Sequence, residues 1–95
     1  MLFRSVLGRF SNFSSLDKAQ SYLSEAVKDG EGATAFFNRE HLVALENRAI
    51  EYTAHAYRQL GNSYGEADAE KKMILYHHSE QLWRALLDQI GRAHV

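Results

Sequence analysis

Residues 35–60 read AFFNREHLVALENRAIEYTAHAYRQL. This stretch decides the fold because it holds neither glycine nor proline across seven helical turns. On a wheel of 100° per residue, Leu42, Leu45, Ala49, Ala56 and Leu60 make one half of an apolar arc. Phe36, Val43, Ile50 and Tyr57, each seven residues apart, make the other half. Arg48, Glu51, His55 and Arg58 lie opposite. The spacing predicts a long amphipathic helix over 35–60, closed by Gly61.

Working outward, an upstream helix is predicted over 15–29. Ser14-Ser15-Leu16-Asp17 offers a Ser-x-x-acid cap, and Leu16, Ala19, Leu23, Ala26 and Val27 recur at three- and four-residue steps. Gly30 is read as its left-handed terminator, with Gly32 and Thr34 opening the next helix. An aromatic lead-in, Val6, Leu7, Phe10 and Phe13, precedes it. Downstream, Gly61-Asn62-Ser63-Tyr64-Gly65 reads as a turn, and Ser63 with Glu66 as a second capping box. A third helix then runs to about Gln89. Ala69, Met73, Tyr76, Trp83 and Leu87 share its apolar face with Leu75, Leu82 and Leu86. The expected fold is all-α, a short helix packed on a long antiparallel two-helix hairpin. Folding about Gly61–Gly65 places Trp83 level with Val43 and Tyr76 level with Ile50. The apolar arcs are wider than one neighbour can bury.

The chain has 95 residues, a formal net charge of −1, no cysteine and no proline. One small domain fits that length. There is no basic stripe for nucleic acid, no apolar run long enough for a membrane span, and no thiolate for a zinc site or disulfide. The two ends carry a separate signal. Met1-Leu2-Phe3-Arg4-Ser5 and Ile90-Gly91-Arg92-Ala93-His94-Val95 resemble sequencing-adapter read-through, the second as the codons ATC GGA AGA GCA CAC GTC. On that reading, residues 6–89 are a single helical domain or a fragment of a larger helical protein. Residues 1–5 and 90–95 are then non-native, and the remainder carries a charge of −3, nine basic against twelve acidic residues once Arg4 and Arg92 are removed.

Glu46 stands inside the apolar arc, between Leu42 and Ile50. A buried carboxylate needs a partner, and the expected register offers the Ser79 hydroxyl and the Trp83 indole N–H. His77-His78 are adjacent helical positions, about 100° apart, unsuited to sharing one metal. Glu51 and His55 are four apart on the polar face, whereas a helical di-iron site needs Glu-x-x-His. No metal, cofactor or catalytic residue is assigned.

Three partial resemblances bear on function. Tyr57-x-x-Leu60-Gly61-x-x-Tyr64 resembles the first-helix signature of a tetratricopeptide repeat, and Ala19-x-x-x-Leu23-x-x-Ala26 its second-helix pattern; Glu70-Lys71-Lys72-Met73, with Tyr76, sits where another second helix would begin. Met73 and Glu80 stand where that family has small residues. The resemblance implies a helical-repeat scaffold, with Gly61 inside a helix and the turn nearer Ala67-Asp68. His55, with Arg58 at +3 and Gly65 at +10, is similar to histidine phosphotransfer domains, which implies phosphoryl transfer to the His55 imidazole; Gln59 occupies the +4 place where that family keeps a small residue. Arg48 and His55 are similar in spacing to the Arg-x(4–6)-His motif of HEPN-type ribonucleases. The reading preferred is a non-enzymatic helical scaffold or protein-interaction module. Its expected partner is a protein, the remainder of a parent chain or a second copy in a homodimer, with no nucleic acid and no membrane, in a cytoplasmic setting.

Overall fold

The computed structural model describes residues 16–93. The lead-in Val6–Phe13, the Ser14 cap, Met1–Ser5, His94 and Val95 lie outside the described residues. Among the described residues the fold is all-α, with three helices running up, down and up: α1 (Leu16–Arg39), α2 (Val43–Asn62) and α3 (Ala69–Ala93). A short 3-10 turn, Glu66–Asp68, leads into α3. The middle helix packs against both others, in a body of 47 × 25 × 18 Å.

The first boundary differs from the one expected. α1 passes straight through Gly30 and Gly32, and neither glycine is left-handed. Thr34 does not open a helix; its hydroxyl donates back to the Gly30 carbonyl at 2.8 Å within α1. Gly30 is instead a close-approach residue. A Cβ there would lie 2.1 Å from Thr53 Oγ1 and 3.1 Å from Tyr52 Cδ1. Small residues, Ala19, Ala26 and Gly30 on α1 with Ala49, Thr53 and Ala56 on α2, bring the two helix backbones together. Leu23, Val27 and Leu60 fill the core beside them, with Tyr52, Tyr57, Tyr64 and Leu75 at its edge.

The actual stop is His41, in the left-handed region at φ 58°. Leu42 N–H donates to the Phe37 carbonyl at 2.9 Å and His41 N–H to the Asn38 carbonyl at 3.2 Å. These are the six-to-one and five-to-two bonds of a Schellman motif, which satisfy carbonyls that a helix end leaves open. The helix expected over 35–60 is thus split at residues 40–42, its first turn belonging to α1.

The second boundary also moves. α2 continues through Gly61 to Asn62 and ends by tightening, with Ser63 N–H shared between the Gln59 and Leu60 carbonyls at 3.1 Å each. The Ser63–Glu66 capping box does not form. Ser63 Oγ donates to the Leu60 carbonyl at 2.5 Å, and Gly65 caps the 3-10 turn without a side-chain bond. Folding back later slides α3 along α2. Trp83 therefore meets His55 rather than Val43, and Tyr76 meets Gly61 and Arg58 rather than Ile50.

Candidate functional site

Glu46 is buried, 8% exposed, as its place on the arc predicts. Its partner is not Ser79 or Trp83. Asn38, in the last turn of α1, donates from Nδ2 to Glu46 Oε2 at 3.1 Å. The shifted register gives the reason: Ser79 lies lower on α2 and donates from Oγ to the Ala54 carbonyl at 2.8 Å, in a buried contact. Glu46 stands in the first turn of α2, where the helix dipole favours a carboxylate. A polar clasp between α1 and α2 accounts for it.

The α2–α3 seam brings together side chains that the sequence left apart. His55 is set edge-on to Trp83, ring centroids 5.1 Å apart, with Glu51 Oε1 4.0 Å from its Nε2. Tyr57 stacks on His78 at 5.0 Å and 16° between planes, and its hydroxyl donates to Glu31 Oε2 of α1 at 2.8 Å. Tyr57 therefore ties all three helices. Burial, then the Glu31 contact, pushes its hydroxyl up to about 12. Tyr52 is raised as well, by burial and then by Asp29. Arg58 lies over the Tyr76 ring at 6.0 Å, and Tyr76 Oη donates to Asn62 Oδ1 at 2.5 Å. A Cβ on Gly61 would stand 2.7 Å from the Tyr76 ring, so this glycine, too, serves close packing.

Of the residues of the phosphotransfer-like pattern, His55 packs edge-on to Trp83, Arg58 lies over Tyr76 and Gln59 is half-buried, while Gly65, at the 3-10 cap, is exposed with open space around it. Arg48 lies two turns from His55, about 10 Å of rise, and lines a different feature. That feature is an open hollow of about 390 Å³ on the α1–α2 seam, lined by Asp29, Gly30, Ala33, Phe37, Leu45 and Tyr52, with Ala49 at its base. A second hollow of about 280 Å³ has Glu31, Asn38 and Glu46 along its walls and Leu82 of α3 reaching in. His77 and His78 are both exposed, and only His78 touches an aromatic ring. Among the described residues no group of three or more His, Cys, Asp or Glu side chains could hold a metal ion. Among them, too, no helix is long and apolar enough to cross a membrane.

What the wheel could not reveal is how little of α3 is covered. Of its described side chains only Ser79 and Leu86 are fully buried. Met73 and Leu87, placed on the apolar face by their spacing, are 64% and 65% exposed. At the α1–α2 turn Phe36, Leu42, Val43 and Leu45 are exposed as well. The split of the helix explains these, since the arc drawn over 35–60 assumed one continuous rod. The chain matches no family model, no curated protein and no solved structure.

Proposed function

We propose that this chain is a non-enzymatic helical scaffold, a protein-interaction module that presents the open side of α3 to a protein partner. The observation that carries this reading is the exposure of Met73 and Leu87, two large apolar side chains on one side of a helix that buries only Ser79 and Leu86 fully. Leaving such side chains in water forgoes about 1.5–3 kcal/mol each relative to full burial, and between them Tyr76 and Trp83 are only half-buried, so apolar surface recurs along this side of α3. The close-packed α1–α2 pair supports the role of a rigid platform. Its helices are held by small residues, by the Asn38–Glu46 clasp and by the Tyr57–Glu31 bond.

A photoreactive amino acid at position 87, with a control at exposed Asp17 on α1, tests this in cells that express the chain. A covalent adduct at 87 that is absent at 17, and lost when Met73→Glu is added, supports the reading. No adduct at 87, or equal adducts at both positions, overturns it.

A further inference from the structure

The geometry points to a second copy of this chain as the partner, docked antiparallel along α3; this rests on the interaction reading above. Met73, Tyr76, Glu80, Trp83, Leu87 and Ile90 follow one another at steps of three, four, three, four and three. That is the spacing of a coiled-coil seam over two and a half heptads. It runs beside the row that α2 already covers, which is centred on Ser79 and Leu86. Tyr76 and Trp83 are half-covered by α2, and the other four are exposed. Alongside, α2 offers a polar border of Glu51, His55, Arg58 and Asn62. An apolar strip with a polar edge has the anatomy of an interface.

The seam is complementary to itself in one direction only. A two-fold axis between Glu80 and Trp83 sets Met73 against Ile90 of the second copy, Tyr76 against Leu87, and Glu80 against Trp83. Each residue then meets the mate that its own mate meets, as an isologous contact requires. The Glu80 carboxylate gains an indole N–H donor, and one polar seam position fixes the register. In a parallel, in-register pair Glu80 would instead face Glu80, like charge on like. Arg84 is held on Glu80 at 2.6 Å within its own helix. Across the antiparallel axis the two Glu80–Arg84 pairs come side by side with alternating sign.

Sedimentation equilibrium of the full 95-residue chain tests the proposal. The mass is expected to rise with concentration toward twice 10.8 kDa. Leu87→Glu should hold it at the monomer value with unchanged helical circular dichroism, because Leu87 is exposed in the monomer. Ile74→Glu, exposed but off the seam, should dimerise like the wild type. A wild-type chain that stays monomeric at every concentration overturns the second copy, as does a dimer that Ile74→Glu breaks and Leu87→Glu does not. If the wild type is monomeric while position 87 still gives its specific adduct in cells, the second-copy assignment fails and the interaction reading stands.

Discussion

Replacing Gly30 by alanine separates two accounts of how α1 is built. As a helix terminator, Gly30 would be needed for its left-handed backbone. In the structure it is an ordinary helical residue pressed against α2. On helix propensity alone, Gly30→Ala should stabilise by about 1 kcal/mol. The new Cβ, however, would sit 2.1 Å from Thr53 Oγ1 and 3.0 Å from Thr53 Cβ, against an optimal separation of about 3.5–4 Å. Thr53 cannot swing aside freely: it is 1% exposed, and its hydroxyl donates to the Ala49 carbonyl at 2.7 Å. The helices must therefore part by more than about 1 Å, an overpacking cost of 1–3 kcal/mol at its upper end. The net loss expected is about 1–2 kcal/mol. Thr53→Ala alone should cost about 1 kcal/mol for its buried methyl group. The double variant removes the 2.1 Å contact with Oγ1, leaving the 3.0 Å contact with the residue-53 Cβ, and should be more stable than the two losses added together, by about 1 kcal/mol. Urea denaturation followed by far-UV circular dichroism measures all four corners, with equal m-values as the check on two-state behaviour. Losses that add to within about 0.5 kcal/mol would refute the close-approach account.

Three further outcomes follow from the same contacts. His41→Gly should raise stability by about 0.5 kcal/mol, and His41→Val should lower it by about 1 kcal/mol or more, because His41 is left-handed at φ 58°; equal effects in urea melts would remove it as the α1 stop. Glu46→Gln should cost about 0.5–1 kcal/mol, through the weakened bond from Asn38 and the lost charge near the start of α2, and a thermal melt identical to wild type would sink the clasp. Tyr57 binds its proton more tightly folded than unfolded, about 12 against 10.0. Its contribution is then complete below pH 10 and declines as pH rises toward 12. Tyr57→Phe should flatten that part of the alkaline decline, and melts of both proteins from pH 9 to 12 provide the comparison.

The apolar steps of three and four in α1, α2 and α3 were enough to place three helices, since burial on one face is what such spacing encodes. The helix ends were not legible. Gly30 and Gly61 resemble terminators in one dimension, yet both are there for close contact, with Thr53 and Tyr76 respectively. Conversely, nothing in the letters marks His41 as the residue that takes the left-handed turn. Those boundaries set the register, so Glu46 could be recognised as buried while its partner, Asn38, could not be named. Likewise Met73 and Leu87 were legible as apolar-face residues. Which half of that face α2 would cover depended on three-dimensional packing, and they fall on the uncovered half.

Disulfide trapping across α3 tests the central claim most directly, because the chain has no cysteine of its own. Met73→Cys and Ile90→Cys chains would be mixed at high concentration under mild oxidation. The account predicts that the mixed 73–90 species forms in preference to 73–73 or 90–90. Like-with-like pairs in preference, or no cross-linked species at all, would contradict it.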